Sequence, residues 1–428
     1  MSRPVVPPPA GPDDPDSTVD PDETPEPVLI SAPAEPLDPP RVTESDIDAA
    51  VARLAAGTGP LAVDAERASG YRYSQRAYLV QLWREGVGTV LIDPIDVAAL
   101  PSLQRSLGDE EWILHAASQD LPCLRELGLE PHRLFDTELA GRLLGMERVS
   151  LVTMLVHFCG ITLEKGHSAA DWSTRPLPED WLVYAALDVE FLLQLRDAVE
   201  SELERQGKTE WARQEFEAVL AAPPPSPRTD PWRRTSGIHQ VRSRRQLAGV
   251  RALWEARDEL ASSRDTAPGR VLPDSAIVAA VRANPATAAD LAKLPTFKGP
   301  RQRKHAARWF AALAAAHALT ESELPPSAGP SDGDGVPPAA RWRERDPEAA
   351  ERLAHARTVI AELAEKHVVQ VQNLLAGDVV RRLCWTPPEL TVDAVAGALT
   401  ELGARPWQVE LTAAELTAAL QTAAAPTS

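Results

Sequence analysis

Proline sets the layout of this chain before any periodicity is read. Three stretches are too rich in Pro, Gly and Ser to hold a helix interior or a central strand: residues 1–40, with 13 prolines, residues 221–237 (AAPPPSPRTDPWRRTSG) and residues 325–340 (PPSAGPSDGDGVPPAA). Whatever folds must fold between them. Residues 1–40 carry nine acids against one base and almost no aromatics. Such a segment cannot bury enough apolar area to offset its ordering entropy, and it reads as a disordered acidic tail. The other two stretches read as linkers. Folded units are expected at 41–220, 238–324 and 341–424, in keeping with the roughly two to four domains that 428 residues suggest.

The unit at 41–220 mixes strand and helix signals. Leu61–Glu66 (LAVDAE) is a short strand after a Thr-Gly-Pro turn. Arg76–Arg84 and Val87–Asp93 are two more, joined at Glu85-Gly86 as a hairpin, and Trp112–Ala116 is a fourth. Helical periodicity follows at 118–127, 137–145, 150–158 and 178–205. Strands followed by alternating helix and strand argue for an α/β layer fold. The other two units read as all-helical, with Gln246–Ser262, Asp274–Ala283, Ala288–Leu294 and Pro300–Leu319 in the middle one. Leu253, Ala256, Arg257 and Ala261 recur as Leu353, Ala356, Arg357 and Ala361, a weak internal repeat.

Several function classes drop out. No window approaches 18 consecutive apolar residues, and the N-terminus lacks a basic region leading into an apolar one, so neither a membrane span nor a secretory signal is expected. Cys123, Cys159 and Cys384 are widely spaced and odd in number, which fits neither a disulfide framework nor a zinc site. They read as buried thiols of a cytoplasmic protein. The net charge of −18 is unevenly spread: residues 41–222 carry 17 bases and 30 acids, while residues 223–324 carry 17 bases and nine acids. One basic block inside an acidic chain points to an anionic partner.

The chemistry lies in the carboxylates. Asp64 and Glu66 are two apart on a strand and so project from one face, with Leu61, Val63 and Ala65 opposite. Asp120 follows the strand Trp112–Ala116 near a helix N-terminus, a place that capping alone would also explain. Tyr184 and Asp188 are four apart on one helix face, and the apolar neighbours of Asp188 imply partial burial. Four carboxylates from two strand ends and a helix can converge on one point. Bare, they would repel one another and any phosphate. Two divalent ions, Mg²⁺ or Mn²⁺, would resolve that conflict and catalyse in-line phosphoryl displacement. Tyr184 is placed to orient the attacking water.

VDAER, HAASQDL and YAALD, in this order, resemble the three motifs of the DEDD exonucleases, and a Tyr four residues before the last Asp marks the tyrosine subgroup. YLVQLW (78–83), LFDTELAGRLLG (134–145) and LEKGHSAADWSTRPLPEDW (163–181) are similar to segments of ribonuclease D, with Lys165, Asp171, Trp172, Arg175, Pro176 and Leu177 in its K…DW..RPL pattern. Residues 239–313 resemble the HRDC helical domain, and 341–424 look HRDC-like only in being helical and in the weak repeat. The resemblance implies a ribonuclease-H-like α/β exonuclease domain followed by two small all-α domains. It implies catalytic Asp64, Glu66, Asp120, Tyr184 and Asp188, with the four acids as metal ligands. It also implies two-metal 3′→5′ trimming of single-stranded 3′ ends of structured RNAs such as transfer-RNA precursors, releasing nucleoside 5′-monophosphates without an obligate protein partner. With 38 Arg to six Lys, the chain suggests a GC-rich bacterium. A DNA exonuclease and a non-catalytic RNA-binding scaffold are the alternatives, the latter disfavoured because all four acids and Tyr184 are present.

In the basic block, Arg301, Lys304 and Arg308 are spaced to share one helix face, with Lys298 and Arg303 beside them and Arg242, Arg244 and Arg245 as a second cluster. Lys298, Arg301, Lys304 and Arg308 are expected to meet RNA phosphates. Trp83, Trp112, Trp254 and His115 read as core residues, whereas Trp172 could line the RNA path.

Overall fold

The computed structural model describes residues 26–97, 100–164, 166, 169–224, 228–297, 299–327 and 335–424. Its sheet is built from β2 (Thr58–Arg67), β3 (Ala77–Glu85), β4 (Gly88–Ile92), β5 (Glu111–Leu114) and β6 (Arg133–Asp136), in the order β4-β3-β2-β5-β6. The first three are antiparallel neighbours, and β5 and β6 run parallel to β2. The hairpin forms where expected, and its turn uses left-handed Gly86 and Gly88, with φ of 82° and 81°. β3 is buried at every position from Ala77 to Arg84, so both faces of the sheet are covered. The helix Glu179–Glu190 packs across β2, β3 and β4, while Ile47, Val51 and Leu54 from the helix Glu44–Ala55 join Leu61, Val63 and Leu82 in one core. The expected α/β layering therefore holds.

Two readings change here. The N-terminal stretch read as a disordered tail contains a strand: β1 (Val28–Ile30) pairs in parallel with β7 (Ile161–Leu163). Three consecutive apolar residues, VLI, suffice to add a short strand to an available edge. Residues 1–25 lie outside the described residues. The helical run at 178–205 is two helices, Glu179–Glu190 and Leu192–Arg205, separated at Phe191 where ψ rises to 2°.

The middle unit is all-helical. Ser243 opens the helix Arg244–Ser263 with a reciprocal capping box to Gln246. Val250, Leu253, Ile277, Phe297, Trp309 and Leu313 form its core, separate from that of the sheet. Trp232 belongs to this core, so the second half of the stretch read as the first linker is folded: one large aromatic outweighs the prolines around it. The second linker is likewise anchored at its end, since the buried Trp342 indole donates to the Pro337 carbonyl at 2.7 Å.

The last unit consists chiefly of the helices Pro347–Lys366, Gly377–Trp385, Val392–Glu401 and Pro406–Ala424. Its apolar residues are continuous with the core of the sheet domain. The weak repeat does not mark equivalent environments. Arg257 is buried against Asp274 at 2.6 Å, whereas Arg357 is exposed and the buried arginine of the later helix is Arg352. Among the described residues, no helix is long and apolar enough to cross a membrane.

Candidate active site

β2 runs through the middle of the sheet and carries Asp64 and Glu66, paired in register with Gln81 and Leu79 of β3. The helix Glu179–Glu190 crosses this strand and delivers Asp188, so that carboxylate oxygens of Asp64, Glu66 and Asp188 lie within 4.8 Å of one another. Asp120 enters from the helix Ala117–Glu126, is 5% exposed, and lies 3.7 Å from the Arg67 guanidinium. Tyr184, one turn before Asp188, hydrogen-bonds it through its hydroxyl. All five residues line one cavity of about 330 Å³. The three sequence segments thus meet, with Asp120 on the cavity wall beside the tight cluster of three.

Local folding explains the aim of each group. The chain turns sharply at Ala116, whose φ is 65°, before the helix bearing Asp120. Asp136 at the end of β6 holds that turn: its carboxylate accepts from the Ala116 and Ala117 N–H groups at 3.1 and 2.8 Å while capping the helix Thr137–Leu143. Tyr184 is fixed by packing. The fully buried Trp172 ring lies 6.4 Å from the Tyr184 ring, centroid to centroid. Gly166 approaches so closely that a Cβ there would fall 1.9 Å from Tyr184 Cδ2. Arg175 ties the segment to the sheet through Asp93, at 2.6 and 2.9 Å, and through the Tyr78 carbonyl at 2.7 Å.

Burial and mutual repulsion act together on the acids. Burial raises Asp64 to about 6, against an opposing pull from the Ala65 N–H and Arg67. Glu66 rises to about 10, from burial first and then from the charges of Asp64, Asp188 and Asp120. Asp120 and Asp188 are held well above the usual carboxylate range by burial and by Asp64. Burial, then Asp188 and Glu66, pushes the Tyr184 phenol upward, so it keeps its proton. A compact set of hard oxygen donors with too much negative charge to ionise unaided is what a small divalent cation fits.

Some placements correct the sequence reading. His115 lines the cavity instead of sitting wholly in the core. Burial lowers it to about 4, and its Nδ1 lies 2.9 Å from Thr137 Oγ1. Gln119, Glu138 and Ser150 line the cavity too; the first two lie within HAASQDL and LFDTELAGRLLG but are not among the candidate site residues, and Ser150 lies outside the motifs. Trp172 is a core residue, fully buried with Ala68, Tyr78 and Leu79, and not the surface residue expected beside an RNA strand.

The basic block is rearranged as well. The expected helix Pro300–Leu319 is broken at His305 into Pro300–Lys304 and Ala306–Ala318. The Trp309 indole N–H donates to the Gln302 carbonyl at 3.2 Å and takes the place of a helical partner there. Lys304 and Arg308 therefore sit on different helices, and Arg308 pairs with Glu259 at 2.8 Å. Lys298, like Lys165 of the K…DW pattern, lies outside the described residues, as does the side chain of Arg301. Arg244 and Arg245 bind carbonyls of residues 317–325 and so staple the middle unit together.

Comparison with known proteins bears on all three units. Residues 41–204 match a family model described as "3'-5' exonuclease", residues 246–313 one described as "HRDC domain", and residues 335–420 one described as "3' to 5' exonuclease C-terminal domain". Ribonuclease D of Jannaschia sp. is 30% identical over 314 residues, covering 70% of this chain and 80% of that protein. A crystal structure of a protein from Bifidobacterium adolescentis superposes with a TM-score of 0.83 at 41% identity, over 92% of this chain and all of that one. Escherichia coli RNase D shares the fold, with a TM-score of 0.63 at 24% identity over 90% of this chain and 99% of that one.

Proposed function

For a chain that belongs to the ribonuclease D family and is a 3′-5′ exoribonuclease carrying an HRDC domain, we propose that Asp64, Glu66, Asp120 and Asp188 hold a pair of divalent cations, Mg²⁺ or Mn²⁺, and that Tyr184 orients the attacking water. The reading rests on one observation above the rest: carboxylates from a central strand and a crossing helix converge within 4.8 Å while burial and repulsion oppose their ionisation. Bound divalent ions supply the compensating charge and the Lewis acidity that phosphodiester hydrolysis needs.

The residues divide the remaining work. Tyr184 keeps its proton, so its hydroxyl can hold a water by hydrogen bonding and does not act as a base. Its ring cannot swing, because Trp172 and Gly166 flank it. Arg67 holds Asp120 against the wall. His115 is neutral near pH 7 and adds no charge to a cavity that must admit a phosphate. We further propose that the substrates are single-stranded 3′ ends of structured RNAs such as transfer-RNA precursors, released as nucleoside 5′-monophosphates. The units act as 41–220 with the added strand Val28–Ile30, 238–324 with Trp232 in its core, and 341–424, and Lys304 and its basic neighbours meet RNA phosphates. The compartment proposed is the cytoplasm, which suits three unpaired thiols, two of them buried.

The test uses end-labelled RNA with the purified full chain. Asp188→Asn should abolish cleavage and leave the fold intact, because an amide is a poor ligand for a hard cation. Tyr184→Phe should lower kcat by about 10²–10⁴-fold with little change in KM. Near-normal turnover by Asp188→Asn would overturn the metal assignment, and a loss confined to KM would make Tyr184 a binding residue.

A further inference from the structure

A second cavity, of about 300 Å³, lies on the middle unit and is lined by Arg264, Thr266, Arg270, Val271, Lys304 and His305. Three permanent cations and an imidazole face one space, with no carboxylate among its described lining residues. Several arginines elsewhere are matched with acids: Arg67 with Asp120, Arg84 with Glu110, Arg196 with Glu111, Arg308 with Glu259. Among the described residues, no carboxylate pairs with Arg264, Arg270 or Lys304. In a chain of net charge −18 the cup is a local excess of positive charge. The one acid inside the segment, Asp265, faces away and accepts from the Tyr73 and Ser74 N–H groups at 3.1 and 2.8 Å.

The cavity is also fixed relative to the carboxylate site. Arg270 donates through Nε to the Gly70 carbonyl at 2.7 Å, and its guanidinium lies 3.8 Å from the Tyr71 ring centroid. The Ala267 N–H bonds the Tyr71 carbonyl at 2.9 Å. Gly70 is four residues beyond Glu66 on the same chain, so the two α-carbons are at most about 14 Å apart. A polyanion entering the carboxylate site has this cationic cup within reach.

We propose that the cup lined by Arg264, Arg270, Lys304 and His305 is a second binding site, which takes a backbone phosphate of the RNA upstream of the 3′ end being cut. Arg264 and Lys304 supply the charge, and Arg270 fixes the cup to the sheet domain. Thr266, whose hydroxyl donates to the Arg264 carbonyl at 3.2 Å, steadies the turn that carries Arg264. The site suits a phosphate first, because its lining is dominated by charge and hydrogen-bond donors. This inference rests on the exoribonuclease reading above.

The test is a series of oligoribonucleotides lengthened one nucleotide at a time, with the full chain in Mg²⁺. The wild type should show KM falling once the oligomer is long enough to reach the cup. Arg264→Glu should raise KM about tenfold for oligomers beyond that length, the worth of one charge-assisted contact, and leave kcat on the shortest cleavable oligomer unchanged. Lys304→Glu, at an exposed side chain where folding is not at stake, should give the same length-dependent loss. In EDTA, where no cleavage occurs, anisotropy of labelled RNA should show the salt dependence flattened by about 0.7 for each charge lost. Unchanged KM and salt slope in both variants would overturn the proposal, as would a loss equal at every length. Wild-type binding of polyglutamate in preference to RNA would overturn it in favour of a protein ligand. Failure of the wild type to cleave any length would instead strike the nuclease reading, while the EDTA arm still decides the cup.

Discussion

The last unit meets the exonuclease domain through buried apolar side chains, and the middle unit meets it chiefly through polar contacts. At the first junction Trp407 stacks on Trp211 with centroids 4.6 Å apart, its indole donates to the buried Glu215 at 3.1 Å, and Lys208 reaches the Leu143 and Val368 carbonyls at 2.9 and 2.8 Å. The apolar core runs through without a seam. At the second junction the Asp265 carboxylate and the Ala267 N–H bind the chain at Tyr71–Ser74, and Asp258 accepts from the Tyr73 hydroxyl. The middle unit keeps a separate core, with Tyr73 of the exonuclease domain packed against it. The unit farther along the sequence has therefore fused with the catalytic domain, whereas the nearer one is docked on it. Fusion by apolar burial makes one cooperative body, and docking by a few hydrogen bonds leaves two.

If so, calorimetry should resolve two transitions, and only the larger should feel the carboxylate site. Asp64 and Glu66 have folded values of about 6 and about 10, above their ordinary ones of 3.8 and 4.5. Each therefore holds its proton more tightly when folded. The stabilisation is complete below the ordinary value and is lost as pH climbs through the folded one. In EDTA the larger transition should fall as pH rises from about 4 through 6 and onward towards 10, Mg²⁺ should restore it, and the smaller should stay put. This is the largest effect expected, since four raised carboxylates act together. Joint movement of both transitions would erase the distinction between fusion and docking.

Trp407→Ala should come next. It removes a side chain only 2% exposed and strips Glu215 of a partner, which should cost the larger transition about 3–5 kcal/mol and leave the smaller one unchanged. A protein that keeps its larger melting temperature would show that the last unit is docked as well. Asp265→Ala should have the smallest effect, about 1–3 kcal/mol confined to the junction. Small-angle scattering should then show a larger radius of gyration with both transitions in place. Loss of the smaller transition would mean that the middle unit depends on its docking to stay folded.

The same contrast explains what the sequence could disclose. Asp64 and Glu66 were legible because strand alternation puts residues two apart on one face, and Tyr184 with Asp188 because helix spacing does the same. Their convergence was not legible from spacing, since no local rule brings a helix at 179–190 across a strand at 58–67; the resemblance to a known family supplied it. The single helix expected across Arg301, Lys304 and Arg308 is broken at His305, beside the Trp309 indole bond to Gln302, and spacing along the sequence does not announce such a break. Trp232 and Val28–Ile30 were lost in proline-rich surroundings whose composition outvoted a few apolar residues. The fusion of the last unit left no mark either, since Trp211 and Trp407 are far apart in the sequence and each reads alone as an ordinary core aromatic.

Gly166 has a bearing on heredity. Most positions in a protein are filtered by whether the chain folds, and a change there is removed along with the molecule. At this position the nearest obstacle to a side chain is the ring of Tyr184, with Cδ2 at 1.9 Å, and no core residue stands as close. A missense change at this codon would strike the catalytic tyrosine first, because a side chain there cannot coexist with the ring where Trp172 holds it. Selection at this position therefore acts first on what the protein accomplishes.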